Sequence, residues 1–408
     1  MLHLIKKFFL KQLFFLVILI TLQSCNNGKK SIINQVNSKK SIVENKNINL
    51  QNEDVKKIKV ALFLPLSGKH QQLGVSLANS ATLSLFENKE SDDLELLFFD
   101  SGDNLKEAEK SFSEIAKQGI KIVVGPLFSS IIPAIEKTAL ENKMIIFSLS
   151  NNNKMLSRFS GSLNNNQTIF ISGITPDDQF KALVDFSNQN NYYNFVMISP
   201  NNEAGRIMRD SFRENSLKKP NNFEGYFYKS DLSDIENIFF PLGKNKNRKE
   251  LNLSKKILVI ADSPKNTSKI IGFIARNNKT FPSQVFGSSQ LDDMATFNEN
   301  NLQGLLFANS EPQNFQNFEQ RYYEIFKSFP PRISSLAYDL TTAIARVANQ
   351  SKVNNKEITN SDFINYNSQN KIGFEGIDGS YQFNNNGSIK RNIAIIKVDR
   401  GKFTVINQ

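Results

Sequence analysis

The chain has 408 residues and a formal net charge of +11, from 50 Lys and Arg against 39 Asp and Glu, and it contains one cysteine and two histidines. These counts exclude an intrachain disulfide and a zinc site built from His and Cys. The charge does not indicate a nucleic-acid partner, because the basic excess is confined to the first 59 residues and to the segment 243–256, and the remainder is close to neutral.

The first 24 residues have the composition of an export signal, with a basic start, an uninterrupted apolar run at 13–22 and a small residue before Cys25. The run is about half of the roughly 20 residues that span a bilayer as a helix, so a cleaved signal is favoured over an uncleaved anchor. Leu-Gln-Ser-Cys at 22–25 resembles the lipobox of bacterial lipoproteins, which implies lipid on Cys25. Since Asn26 follows the cysteine, the same resemblance implies the outer membrane, with the protein facing the periplasm.

Residues 25–57 are rich in Asn, Lys, Ser and Gln, a composition typical of a flexible tether after a lipidated cysteine. The remaining residues, 58–408, are too many for one compact core and suit two lobes.

From residue 58 the sequence alternates short apolar runs with amphipathic stretches. In the first half, the apolar runs predict buried parallel strands at 58–66, 94–99, 120–124 and 144–147. Helical periodicity follows each of the first three strands, and Asn104 with Glu107 resembles a capping box.

In the second half, Thr175-Pro176-Asp177-Asp178 predicts a helix start, with a cap, a proline in the first helical position and two acids in the first turn. Further strands are predicted at 195–199, 257–261, 284–286 and 304–308, and helices at 267–275, 318–329 and 334–348. The chain closes on a predicted antiparallel hairpin that joins 381–383 to 393–398 through a turn at 384–387.

Alternating strands and helices indicate an α/β fold with parallel sheets, here two doubly wound Rossmann-like lobes in series. In such sheets ligands bind beyond the carboxyl ends of the strands, beside helix N-termini. The loops expected there, at 66–74, 125–130 and 148–151, are rich in glycine and small hydroxyls and suit a small polar ligand. The alternative is that serines such as Ser67, Ser129 and Ser130 only cap helices.

Signals for catalysis are sparse. His70 is the one histidine that would remain after cleavage of the signal, and the metalloprotease, serine-hydrolase, P-loop and dinucleotide-binding motifs are absent from the sequence. We therefore predict no enzymatic activity, no cofactor and no metal. A pair of carboxylates acting as hydrolytic acid and base remains open on sequence alone.

Several motifs resemble the type I periplasmic binding proteins of the leucine-binding kind, and most closely the lipoprotein activators of penicillin-binding proteins that share that fold. They are Val60-Ala-Leu-Phe-Leu-Pro-Leu-Ser-Gly68, Gln72-Leu-Gly74, Leu94-Glu-Leu-Leu-Phe-Phe-Asp100, Ile122-Val-Val-Gly-Pro-Leu-Phe128, Ser335-Leu-Ala-Tyr-Asp339 and Gly373-Phe-Glu-Gly-Ile-Asp-Gly-Ser-Tyr-Gln-Phe383, followed by Asn386-Gly387 and Arg391.

The resemblance implies two lobes joined by three crossovers, lobe one at about 58–174 and 312–372, lobe two at 175–311 and 373–408, with a cleft between them. It implies a non-enzymatic activator of a penicillin-binding protein in peptidoglycan synthesis. The alternative is a receptor that closes on a branched-chain amino acid-like solute for an ABC transporter. In that case we expect the ligand to be ringed by Ser67, Gln72, Ser129, Ser130, Ser148 and Ser150, with Tyr338 as a further candidate.

Overall fold

A computed structural model describes residues 57–156, 168–240, 251–278, 280–354, 356–370 and 373–407. The signal peptide, the lipid site Cys25 and the tether up to residue 56 lie outside the described residues. The part from Lys56 to Gln408 is one compact unit. Among the described residues, no helix is both long and apolar enough to cross a bilayer.

The first sheet has five parallel strands, which are β1 (Ile58–Leu64), β2 (Leu94–Asp100), β3 (Ile122–Val124), β4 (Ile145–Ser148) and β5 (Ile169–Ile171). Their order in the sheet is β2-β1-β3-β4-β5. Strand β1 alternates its side chains between two apolar layers, with Val60, Leu62 and Leu64 on one face and Ala61 and Phe63 on the other. Both faces are therefore covered by helices, as a doubly wound sheet requires. The helices of this part are α1 (Gln71–Glu87), which follows β1, α2 (Leu105–Lys117), which follows β2, and α3 (Ile132–Glu141), which follows β3.

The chain then builds a second sheet, in which the first five strands are parallel. In the first strand of this sheet along the chain, Phe195 and Met197 face one apolar layer, and Val196 and Ile198 face the other. The elements are α4 (Pro176–Gln189), β6 (Asn194–Pro200), α5 (Glu203–Leu217), β7 (Asn222–Tyr228), α6 (Glu236–Phe239), β8 (Ile257–Ile260), α7 (Pro264–Asn277), β9 (Gln284–Gly287) and β10 (Leu306–Asn309).

After β10 the chain returns to the first sheet, since Phe374, Tyr381 and Phe383 pack in the same apolar layer as Val60 and Leu62. This returning segment comprises α8 (Pro312–Phe326), α9 (Ser334–Val353), α10 (Asn360–Asn370) and a three-stranded antiparallel sheet of β11 (Phe374–Gly376), β12 (Gly379–Phe383) and β13 (Ile389–Arg391). Finally, β14 (Ala394–Asp399) and β15 (Lys402–Asn407) add antiparallel strands to the second sheet. The chain therefore passes three times between the two sheets, and the predicted fold class is confirmed.

The predicted closing hairpin is wrong in its second strand. The turn at 384–387 joins β12 to β13, with Tyr381 opposite Arg391, and residues 394–399 instead pair with β10. Ile396 and Val398 are fully buried in the layer that also holds Phe307, so this strand gains more apolar burial inside the second sheet than a hairpin beside β12 offers. The elements that were not predicted are the strands β5, β7, β11, β13 and β15 and the helices α5, α6 and α10.

The predicted lobe boundaries place residues 373–408 in the second lobe. Because β11–β13 pack against the first sheet and only β14 and β15 join the second, we propose that the first lobe extends to Arg391. The crossovers then lie at 172–175, 310–311 and 392–393.

Candidate functional site

A cavity of about 470 Å³ lies where loops of the first sheet face loops of the second. Its volume falls within the roughly 300–1,000 Å³ of most small-ligand sites. The first sheet contributes mainly apolar side chains, and the second sheet contributes Ser289, Gln290 and Asn309. The remaining lining residues are Leu73, Leu127, Phe128, Ser129, Leu149, Ser150, Asn151, Gly173, Ile174, Arg332, Ile333, Leu336 and Asp378.

Two of the predicted ligand residues, Ser129 and Ser150, line this cavity. Both hydroxyls already accept hydrogen bonds from Asn152. The backbone N–H of Asn152 donates to Ser150 at 3.1 Å, and the side-chain amide of Asn152 donates to Ser129 at 3.4 Å. Ser148 is fully buried behind them, where its hydroxyl donates to the carbonyl of Pro126 at 3.0 Å and accepts from the Ser150 N–H. These three serines therefore stabilise the loops that shape the cavity.

The other predicted residues lie outside the cavity lining. Ser67, Gln72 and Ser130 are exposed. Tyr338 is half-buried, where its hydroxyl donates to Glu87 at 2.7 Å, and its ring packs edge-on against Phe318.

Asp100, at the end of β2, holds the loop that follows β1. Its Oδ1 accepts from the backbone N–H of Leu66 at 2.8 Å and of Gly102 at 2.9 Å. Burial raises the pKa of this carboxyl, but hydrogen bonds from Ser67 and from these N–H groups outweigh it and hold the pKa below its usual value. Ser67 is thus a partner of Asp100, and the loop is fixed from inside the first lobe.

The cavity is lined by two charged residues, Asp378 and Arg332, and Arg332 was not among the predicted ligand residues. Its Nε donates to Asp292 at 2.7 Å and its Nη1 to Asp378 at 2.5 Å, and its Nη2 donates to the hydroxyl of Ser310. Asp378 also accepts from Ser335 at 2.7 Å. The guanidinium therefore links the second sheet, through Asp292, to the turn between β11 and β12.

The two carboxyls bound by Arg332 respond differently to burial. Burial raises the pKa of Asp378, but the charges of Arg332 and Arg391 outweigh it, so the pKa is below its ordinary value. Burial also raises the pKa of Asp292, and there the charge of Arg332 and the hydrogen bonds from Arg332 and Asn309 do not outweigh it, so the pKa is above its ordinary value. Both oxygens of Asp378 and the Oδ2 of Asp292 accept hydrogen bonds from neighbouring donors.

The network of Arg332, Asp292 and Asp378 was not predicted, although one of its three residues lies in a recognised motif. Asp378 lies inside the motif 373–383 that carries the family resemblance, but Arg332 and Asp292 stand in segments without a motif. Their meeting depends on the second crossover, which no local pattern predicts. Among the described residues, no group of three or more His, Cys, Asp or Glu has the arrangement of a metal site.

Over 248 residues the chain is 19% identical to the Uncharacterized protein RP748 of Rickettsia prowazekii (strain Madrid E), a match that covers 60% of this chain and 64% of that protein. The chain thus spans less than two thirds of the length of this relative.

Two solved structures are similar in fold. The leucine-binding protein LivK of Thermotoga maritima has a TM-score of 0.60 at 15% identity, with 86% of this chain and 97% of that chain covered. Full-length LpoA of Haemophilus influenzae has a TM-score of 0.59 at 15% identity, with 86% of this chain and 59% of that chain covered.

Residues 87–401 match the protein family described as the receptor family ligand binding region, and the chain belongs to this family. The predicted similarity in fold to type I periplasmic binding proteins of the leucine-binding kind is confirmed.

Proposed function

We propose that this member of the family is a non-enzymatic envelope lipoprotein that activates a penicillin-binding protein in peptidoglycan synthesis. The observation that carries the proposal is the state of the cleft, where Arg332 is paired with Asp292 and Asp378, and the hydroxyls of Ser129 and Ser150 accept hydrogen bonds from Asn152. A regulator that acts through its outer surface needs no free recognition groups in the cleft. The similarity in fold to LpoA, a penicillin-binding protein activator, supports the same reading.

The electrostatics of the cleft disfavour an amino-acid ligand. A zwitterion gains most from charged side chains that are free to pair with its carboxylate and its ammonium. Arg332 is bound to Asp292 and Asp378, so a zwitterion that used them would have to break a buried ion pair. Removing one partner of such a pair typically costs about 3–5 kcal/mol, which a small ligand must first recover.

The same network argues against catalysis in the cleft. A general base must offer a free lone pair to the substrate. Both oxygens of Asp378 accept hydrogen bonds, from Arg332, Ser310 and Ser335, and Oδ2 of Asp292 accepts from Arg332 and Asn309, so these three oxygens are engaged within the protein.

One observation favours the second candidate, a receptor of an ABC transporter for a branched-chain amino acid-like solute. The cavity wall formed by the first lobe is apolar, with Leu73, Leu127 and Leu149 among its residues, and suits an aliphatic side chain. The similarity in fold to LivK supports this candidate.

A thermal-shift experiment on the purified full-length protein separates the two candidates. A ligand at a hundredfold excess over its dissociation constant stabilises a protein by about 2.7 kcal/mol. We expect no shift with leucine, isoleucine, valine or peptidoglycan fragments. A shift with one amino acid that Ser129→Leu abolishes, and that the neighbouring Ser130→Leu preserves, would establish the receptor, since only Ser129 lines the cavity.

A further inference from the structure

The two lobes have separate apolar cores. Among the residues that the structure describes, every apolar cluster is confined to one lobe, with Leu62 and Phe63 in clusters of the first lobe and Met197 and Ile396 in clusters of the second. Two such bodies are expected to move against each other unless a large hydrophobic interface joins them. The angle between the lobes therefore depends on the three crossovers and on polar contacts that reach from one lobe to the other.

Arg332 makes one of these polar contacts beside the second crossover. From the first lobe, its Nε donates to Oδ2 of Asp292 in the second lobe at 2.7 Å, and its Nη2 donates to the hydroxyl of Ser310 in the crossover itself. The Arg332 side chain is 17% exposed and the Asp292 side chain 7%. Because water is largely excluded, the two charges attract each other more strongly than an exposed pair would.

Each member of this ion pair is fixed within its own lobe. Nη1 of Arg332 donates to Asp378 at 2.5 Å, and the guanidinium lies over the ring of Phe315 at 4.3 Å. In the second lobe, Oδ2 of Asp292 also accepts from the side-chain amide of Asn309 at 2.7 Å. Since neither side chain is free to follow the other, a rotation of the lobes about the crossovers separates Nε from Oδ2.

Two other polar contacts between the lobes do not join buried charges. The side-chain amide of Asn153 in the first lobe donates to Asp177 of α4 at 2.8 Å. Lys154 and Glu214 lie 3.9 Å apart, with side chains that are 42% and 60% exposed. Exposed ion pairs contribute little to stability, and the amide of Asn153 is neutral. The contact between Arg332 and Asp292 is therefore the stronger candidate for setting the angle.

We propose that Arg332 and Asp292 form an interlobe lock, which holds the lobes at the angle of this structure without a ligand in the cleft. When the lock is lost, the lobes rotate about the crossovers and the cleft opens to water. Arg332 remains paired with Asp378 after the loss of Asp292, so the open form leaves no buried guanidinium without a carboxylate. The lock concerns the relation of the two lobes and does not depend on a penicillin-binding protein partner.

Hydroxyl-radical footprinting of the full-length protein, read by mass spectrometry, tests the lock. Phe128 and Leu149 report on the cleft because both line it. We expect Asp292→Ala to raise their oxidation rates at least threefold, since that change removes the acceptor of Nε. Phe112, which is buried in the core of the first lobe, should keep its rate, which distinguishes an open cleft from an unfolded lobe.

Two further variants of the same residue and one control complete the test. Asp292→Asn keeps the shape but removes the charge, and should raise the rates in the same direction, whereas Asp292→Glu keeps the carboxylate and should restore rates near those of the unmodified protein. Asp93→Ala is the matched control, because it removes the carboxylate that pairs with Lys352 inside the first lobe, and it should leave the rates unchanged.

Three results would overturn the proposal. The first is oxidation of Phe128 and Leu149 at the unmodified rate in both Asp292→Ala and Asp292→Asn. The second is an equal rise at Phe112, which would mean general loss of structure. The third is the same rise at the cleft in Asp93→Ala.

Discussion

At the scale of single residues, the junction of the two lobes contains a buried carboxyl that is held by backbone N–H groups. Asp339 of α9 is buried, and its two oxygens accept from the backbone N–H groups of Ile377 at 2.7 Å and Asp378 at 3.2 Å. A Cβ at Gly376 would lie 2.3 Å from the same carboxylate, so this position requires glycine. Burial, and then the charge of Asp378, raise the pKa of Asp339 to about 7.

The raised pKa of Asp339 predicts that stability falls as the pH rises towards 7. The folded state keeps a proton that the unfolded chain has lost, so this contribution is present at low pH and is lost as the pH passes through the folded pKa. We expect a lower free energy of unfolding at pH 8 than at pH 6, measured by urea denaturation. Asp339→Asn should remove this difference, whatever its effect on absolute stability.

Asp362→Asn is the matched control, since the pKa of Asp362 is lowered and its contribution is already complete at pH 6. This variant should keep the difference between pH 6 and pH 8. An Asp339→Asn protein with the same pH dependence as the unmodified protein would contradict the assignment.

Cys25 gives a second prediction at this scale. If lipid on this cysteine anchors the protein, Cys25→Ser should release it from the membrane fraction or leave the signal peptide attached. Membrane fractionation and mass determination of the purified product check both results. A Cys25→Ser protein that is still processed and still membrane-bound would rule out the anchor.

At the scale of elements, the best-predicted features are helix starts. Thr175 caps α4 by accepting from the N–H of Asp178 at 3.2 Å, while the Asp178 carboxylate accepts from the backbone N–H of Thr175, which is the reciprocal arrangement of a capping box. Asn104 caps α2 through the N–H of Glu107, but the Glu107 side chain accepts from Asp103. The caps were predictable because they depend on residues three positions apart.

The cap of α4 should be measurable. Thr175→Ala removes the hydroxyl and is expected to cost about 1 kcal/mol of stability in urea denaturation. Thr175→Val keeps the shape and should cost a similar amount, whereas Thr175→Ser keeps the hydroxyl and should lose less. Equal stability of the Val and Ser variants would show that the hydroxyl does not stabilise the helix.

Strand pairing was less predictable than helix starts. The apolar run near 393–398 was recognised as a strand, but its partner is β10, about ninety residues earlier in the chain. Strand β5 has only three residues, Ile169–Ile171, and its neighbours lack a distinct pattern. Which strands meet depends on the crossovers, which bring together segments that are distant in sequence.

At the scale of the whole molecule, the alternation of strands and helices was sufficient to predict two doubly wound lobes, and the order of the motifs was sufficient to predict the family. The residues of the candidate site were harder to predict from the sequence than the fold. Ser129 and Ser150 were placed at the cleft by the rule for open α/β sheets, because they follow the carboxyl ends of strands. Arg332 and Asp292 act through long-range contacts and have no local signature.

We propose that the protein stimulates peptidoglycan synthesis through contact with a penicillin-binding protein. The most direct measurement is the rate of glycan polymerisation and cross-linking by the purified penicillin-binding proteins of the source organism, with and without the full-length protein. We predict that at least one rate rises with protein concentration to a plateau, and that leucine, isoleucine and valine leave the increase unchanged. Rates that stay constant at saturating protein for every penicillin-binding protein of the organism would contradict the account.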